Sequence, residues 1–296
     1  MSAADRLRHL LRQPGCLTMP CCFDALSARL IEQAGFPLTF MSGFAVSAAR
    51  IAAPDTGLIS YGEVIDQGRN ICDAVDIPVI GDGDTGYGNA MNVRRTVEGF
   101  ARAGFACIMI EDQLAPKRCG HTPGKQVVER GEARDRIRAA VDAREAGADI
   151  LVMARTDARH QHGLDEAIAR AREFHDLGAD ILFVEAPTSE REMRLICDSL
   201  PGPLMANIVE GGRTPPLPAS ELGAMGYAIA AYPLTLLSAA MRAMTEALEA
   251  LRDGRTADTL LMDFAELRRV VGFDRYYEES SRYASSHRHD PHPAES

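Results

Sequence analysis

Short apolar runs and amphipathic stretches alternate along most of this chain. Five of the runs share one prelude: a small or apolar residue and a glycine, then a mostly apolar run that ends in polar residues. Ala34-Gly35 leads into 36–41 and Ser42-Gly43. Ala103-Gly104 leads into 105–110 and Glu111-Asp112. Ala146-Gly147 leads into 148–154 and Arg155-Thr156-Asp157. Leu177-Gly178 leads into 179–184 and Glu185, and Met225-Gly226 into 227–231 and Tyr232-Pro233. Glycine suits the left-handed residue that ends a helix. A continuous apolar run reads as a strand buried on both faces, as in a parallel sheet. Runs at 16–21, 77–80 and 203–206 lack the glycine but read the same way, which makes eight strands.

Between the strands, 92–103, 134–146, 164–177 and 190–200 carry apolar residues at three- and four-residue steps, with Arg and Glu on the remaining faces. That is the pattern of outer helices. Strands alternating with helices predict βαβ units, and eight of them predict a (β/α)8 TIM barrel. A doubly wound open sheet is the rival, because closure leaves no local mark. After the eighth strand, 236–252 is an Ala-, Leu- and Met-rich helix broken by Asp253-Gly254, and a second helix is expected over 256–271. The His- and Pro-rich end from 287 has nothing to bury and reads as disordered. The expected division is a barrel over 1–235 and a C-terminal helical arm over 236–296.

Composition narrows the function classes. The 32 Lys and Arg against 42 Asp and Glu give a net charge of −10, which argues against a nucleic-acid partner, since that affinity comes from basic residues on phosphates. A small anionic substrate is still compatible, because a local site can oppose the net field. No apolar run is long enough to span a bilayer, and the first fifteen residues lack the apolar core of a signal peptide. The 7 cysteines show no disulfide-scaffold spacing, so reduced thiols and a cytoplasmic location are expected.

The chemistry is expected at the C-terminal ends of the strands, where barrel enzymes carry their sites. Strand three ends in Gly81-Asp82-Gly83-Asp84-Thr85-Gly86-Tyr87-Gly88, and strand four in Glu111-Asp112-Gln113. Asp82, Asp84, Glu111 and Asp112 are hard oxygen ligands with no His or Cys among them, which favours Mg²⁺ or Mn²⁺ over Zn²⁺. The plainer alternative is a turn whose acids cap helices. Lys117-Arg118-Cys119-Gly120-His121 follows in a long loop, where two cations beside a thiol favour a thiolate and glycines permit a closing lid. Arg155 offers a fork for a carboxylate, or else a salt bridge to Glu185 or Asp157. Asn207 offers a donor, and Ser42-Gly43-Phe44 a backbone nest. C–C cleavage beside a carboxylate, or a related enolate reaction, suits such a set; spacing alone does not choose among them.

These motifs, in this order over about 22–233, resemble the isocitrate lyase/phosphoenolpyruvate mutase superfamily. The resemblance implies a Mg²⁺-dependent barrel, a homotetramer with C-terminal helices swapped between subunits. It implies Asp82 as the direct metal ligand, with Asp84 and Glu111 acting through waters. Asp55 would lie beside the substrate, Ser42, Gly43 and Phe44 would hold one carboxylate, and Arg155, Asn207 and Glu185 the other end. Cys119, in its loop with Lys117, Arg118 and His121, matches the acid of the lyase branch, which protonates the carbanion left after cleavage. Phe40 stands where methylisocitrate-type lyases carry Tyr, and Phe44 where they carry a small residue; Pro233 matches the lyase pattern. The implied activity is a C–C lyase on a 2-hydroxy di- or tricarboxylate, a substituted malate above all. A phosphonomutase or an oxaloacetate decarboxylase on the same fold, and a non-catalytic oligomeric binding protein, are the alternatives.

Overall fold

The computed structural model describes residues 1–118 and 124–283. Eight parallel strands run in the order β6-β5-β4-β3-β2-β1-β8-β7: β1 (Leu17–Cys22), β2 (Thr39–Met41), β3 (Val79–Asp82), β4 (Cys107–Glu111), β5 (Leu151–Thr156), β6 (Ile181–Val184), β7 (Met205–Asn207) and β8 (Ile229–Tyr232). A parallel bridge from Leu182 in β6 to Leu204, just before β7, brings the sheet round on itself. The architecture is a (β/α)8 barrel, and the open-sheet alternative falls. The glycine preludes act as expected: Gly104 (φ +97) and Gly226 (φ +115) both take the left-handed conformation that turns a helix end into the next strand.

Side chains alternate across each strand. Met19, Phe40, Ile80, Met109, Met153, Phe183, Met205 and Ala231 belong to one apolar cluster, inside the barrel. Their neighbours Cys22, Met41, Val79, Ile108, Val152, Leu182, Ala206 and Ala230 belong to the other, against the helices. The N-terminal helix Ala3–Leu11 adds Ala4 and Leu7 to the interior cluster, closing the barrel floor. Counting two residues on from the interior set reaches Cys21, Ser42, Asp82, Glu111, Arg155, Glu185, Asn207 and Pro233. The inward layer above the apolar fill is therefore polar on β2 to β7.

Two compact units divide between Met241 and Arg242. The helix Thr235–Arg252 runs across that division. The second unit differs from expectation. No single helix spans 256–271; a short 3-10 turn, Asp258–Leu260, precedes a helix at Phe264–Val271, capped at its start by Asp263. Gly272 (φ +94) then starts another helix, Phe273–Ser281, in the Tyr-rich stretch. The expected disordered end lies outside the described residues. Among the described residues, no helix is long and apolar enough to cross a membrane.

Candidate active site

The mouth of the barrel is built at the ends of β2 to β7. Asp82 closes β3, and its carboxylate is held on both oxygens: Oδ1 accepts the Asp84 N–H at 3.1 Å and Oδ2 the Gly43 N–H at 3.2 Å. A Cβ at Gly43 would stand 2.5 Å from that Oδ2, so only glycine lets the backbone approach this closely. Ser42 caps the helix Gly43–Ile51, its hydroxyl accepting from Ala45 N–H at 3.4 Å. Beyond Asp82 the chain turns sharply, with Asp84 and Tyr87 at positive φ (+49 and +61). Such strain in non-glycine residues collects at functional sites.

Lys117 lies buried among these acids, its Nζ 2.5 Å from Asp55 Oδ1 and 2.8 Å from Asp84 Oδ1. Burial raises the Asp84 carboxyl to about 7; Lys117 opposes that rise, and Asp82 and Asp55 add to it. Burial alone would depress the Lys117 ammonium, but Asp84, Asp82, Asp55 and Glu111 outweigh it and lift it well above the usual range. Glu111, the last residue of β4, is pushed well up by burial, against the pull of Arg155. Its Oε2 lies 3.3 Å from Arg155 Nη1, while its buried Oε1 has no hydrogen-bond partner among the described residues. An orphaned buried oxygen calls for a missing donor or cation.

Arg155 fills the opposite side of the mouth. Its Nε and Nη2 grip the two oxygens of Asp157 at 2.8 and 3.1 Å, and Glu185 Oε2 lies 3.7 Å from Nε. The salt bridge weighed as the alternative for Arg155 therefore forms, yet Arg155 also lines the cavity. Asn207 Nδ2 donates to Glu185 Oε2 at 3.4 Å.

A cavity of about 250 Å³ opens between these groups, at the small end of ligand sites, which typically run from about 300 Å³. Ser42, Phe44, Asp55, Asp82, Arg155 and Asn207 line it, over an apolar wall that includes Phe40, Met109, Phe183, Met205, Val209, Pro233 and Leu234. Gly43, Asp84, Glu111, Lys117 and Glu185 stand behind that lining, in contact with its charged members or their ion pairs. Arg118 is exposed, its backbone pinned at 2.9 Å in both directions by the Gln113 amide. Cys119 and His121 lie outside the described residues.

Asp112 corrects the four-carboxylate reading. It sits one residue out of step with Glu111, so it faces away from the mouth. Its oxygens accept the Thr156 hydroxyl at 2.7 Å, the Asp157 N–H at 2.8 Å and Arg170 Nη1 at 3.2 Å. Lys125 had given no sequence signal, yet its Nζ is buried 2.6 Å from Asp157 Oδ1. Among the described residues, no three acidic, His or Cys side chains converge into a ready coordination shell.

The model of the family described as phosphoenolpyruvate phosphomutase matches residues 7–252. A 2,3-dimethylmalate lyase of Eubacterium barkeri is 41% identical over 96% of this chain and 99% of its own length. The solved structure of an oxaloacetate acetylhydrolase bound to 3,3-difluorooxalacetate is 36% identical, with a TM-score of 0.91 over 97% of this chain and 99% of that one. A phosphonopyruvate hydrolase solved with oxalate and Mg²⁺ is 31% identical, with a TM-score of 0.85 over 96% and 100%.

Proposed function

The chain belongs to the phosphoenolpyruvate phosphomutase family, and we propose that within it this enzyme is a Mg²⁺-dependent C–C lyase acting on a substituted malate. Its relatives include lyases and a mutase alongside hydrolases of oxaloacetate and phosphonopyruvate. One observation carries the narrower reading. Among the described lining residues Arg155 is the one cation, and the rest of the wall is largely apolar. One carboxylate can pair with Arg155, and a second can reach the metal side at Asp82. A third carboxylate, as in methylisocitrate, would find no second cation among the described lining residues, which makes its burial costly. Alkyl substituents suit Phe40, Phe44, Val209, Pro233 and Leu234.

The donor set fits a hard divalent cation. Asp82 would hold it directly, and Asp84 and Glu111 would reach it through waters, consistent, among the described residues, with carboxylates that do not converge and with a Glu111 Oε1 that has no partner. Bound there, Mg²⁺ would supply a Lewis acid for the substrate's oxygens. Arg155 and Asn207 orient the carboxylate end, as does the Ser42-Gly43-Phe44 turn. The 2-hydroxyl gives up its proton to a carboxylate of the mouth and becomes the carbonyl of a 2-oxo acid. The C2–C3 bond breaks, and its electron pair stays on C3 beside the other carboxylate until C3 takes a proton. Cys119 is the acid in this reading, with His121 and Arg118 beside it in sequence. Lys117 stays charged and holds Asp55 and Asp84 in place.

The same reading extends to assembly as a homotetramer with swapped C-terminal helices: Met241, Met244, Leu248 and Leu251 leave apolar surface exposed on the helix Thr235–Arg252. Light scattering at assay concentration tests it, and a monomer rejects it. For the reaction, a panel of 2- and 3-alkylmalates, methylisocitrate, oxaloacetate and phosphonopyruvate is assayed with MgCl₂ for 2-oxo acid release, with phosphorus NMR on the phosphonate. Alkylmalates are expected to turn over fastest, and EDTA to stop them. Preferred turnover of the phosphonate or of oxaloacetate rejects the lyase reading.

A further inference from the structure

The geometry points to Lys125 and Asp157 as positioning residues that hold the Arg155 fork in place and keep its charge available to an anionic substrate. The inference rests on the reading above, in which Arg155 receives a carboxylate.

Arg155 reaches the cavity, whereas Asp157, Lys125, Glu111 and Glu185 are absent from its lining. Of these, Asp157 acts on a ligand in the cavity through Arg155, and Lys125 acts through Asp157. Asp157 holds one edge of the guanidinium, Nε at 2.8 Å and Nη2 at 3.1 Å. Two parallel bonds fix the plane of the fork. Asp157 is itself fixed from two directions. Its N–H donates to Asp112 Oδ1 at 2.8 Å, and its Oδ1 takes Lys125 Nζ at 2.6 Å. Lys125 arrives there because the chain returns antiparallel: Gln113 pairs with Val127, and Leu114 N–H donates to Gln126 O at 2.8 Å.

The charge count makes the second cation matter. Asp157, Glu111 and Glu185 all lie within 3.7 Å of the Arg155 guanidinium. Even with Glu111 set aside, whose carboxyl burial pushes well up, Asp157 and Glu185 around one guanidinium would leave the site negative and repel an incoming dianion. Lys125 offsets Asp157, so the Arg155 charge is spent less on its own neighbours. Burial would raise Asp157, but Arg155 and Lys125 hold it well below the usual carboxylate range, so it stays charged and keeps its grip. Both Lys125 and Asp157 are nearly inaccessible, at 5% and 1% exposed, where ion pairing is screened least.

The test uses the full chain with Mg²⁺ and oxalate as the probe, read by calorimetry. Lys125→Met is expected to weaken oxalate binding about ten- to a hundredfold, the usual range for losing a charged partner. Lys125→Arg should restore most of the loss. Lys125→Gln keeps a donor for Asp157 without the charge, and it carries the test should the Met variant not fold. The decisive readout is a cycle with Arg155→Lys. If Lys125 acts through the fork, its removal costs much less in the Arg155→Lys background. Folded Lys125 variants that bind oxalate like the parent overturn the inference, as do losses that multiply independently with Arg155→Lys. A parent chain that binds no oxalate overturns the site reading beneath it and the inference together.

Discussion

The inward-facing positions of the barrel change character within one layer. Ile80, Met109, Met153, Phe183 and Met205 are apolar and no more than 3% exposed. Two residues further along the same strands stand Asp82, Glu111, Arg155, Glu185 and Asn207, four of them ionisable. The backbone is equally regular in both layers, so the difference is one of chemistry. The lower layer lowers the free energy of folding by taking apolar surface out of water. The upper layer buries charges, which costs stability unless every one is paired. Glu111 is raised well above its ordinary value, and one of its oxygens has no partner among the described residues, so pairing among them is incomplete. An arrangement that is unfavourable for folding alone is what a site kept for binding looks like.

Adjacent inward positions of β3 offer the sharpest way to break this contrast. Asp82→Asn keeps the shape and one acceptor for the N–H groups of Gly43 and Asp84. If Asp82 holds the proposed Mg²⁺, this should reduce turnover about a thousandfold or more, while the melting temperature moves by only a few degrees. Ile80→Ala should do the reverse. Ile80 is fully buried, and emptying such a site costs about 2–5 kcal/mol, roughly 5–15 °C in melting temperature for a domain of this size. Its turnover below the transition should stay within about threefold of the parent's. Should both substitutions damage stability equally, the two layers would not be functionally distinct.

Most of the fold was legible because its signals are local. Gly104 and Gly226 mark helix ends by backbone conformation alone, and the apolar runs after them need no partner to be recognised. The strand-end acids were found the same way. What stayed hidden depends on contacts distant in sequence. Lys125 and Asp157 are 32 residues apart, and nothing near Lys125 announces a buried ion pair. Asp112 could have been set apart from Glu111 by counting in twos along β4, since adjacent residues on a strand face opposite ways. The helices Ala25–Gln33, Gly43–Ile51 and Tyr61–Ala74 escaped notice because small residues such as Gly43, Ala45 and Gly68 blur the apolar stripe. In the arm, the apolar residues of 256–271 suggested one helix, but Asp263 caps a new start at Phe264.

A smaller effect separates two carboxylates of the mouth by sign. Asp84 is raised from 3.8 to about 7, so the folded state binds its proton more tightly than the unfolded chain. Its stabilising contribution is complete below about 3.8 and is lost as pH rises to about 7. Asp157 is lowered, so its contribution is present above about 3.8 and is lost on acidification. Melting temperatures measured in EDTA from pH 4 to 8 should therefore carry a declining component that Asp84→Asn removes. Mg²⁺ should restore stability most at the alkaline end, where Asp84 is charged. A profile unchanged by Asp84→Asn would show that its proton is not linked to folding.

The smallest change tests whether the upper layer extends to Tyr87. Its hydroxyl is buried without a hydrogen-bond partner among the described residues, and its backbone sits at φ +61, while its ring packs edge-on against Tyr61 at 5.6 Å. The ring has a packing role, but the hydroxyl has none. Tyr87→Phe keeps the ring and removes only the buried O–H, whose burial costs about 1–3 kcal/mol when unmet. The variant should melt at the same temperature or a few degrees higher. If turnover falls at the same time, the hydroxyl belongs with Asp82 and Glu111 among groups held for a ligand at a cost to folding. If Tyr87→Phe melts lower, the hydroxyl stabilises the fold, and the boundary between the two layers runs inside the Gly81–Gly88 turn instead of beneath it.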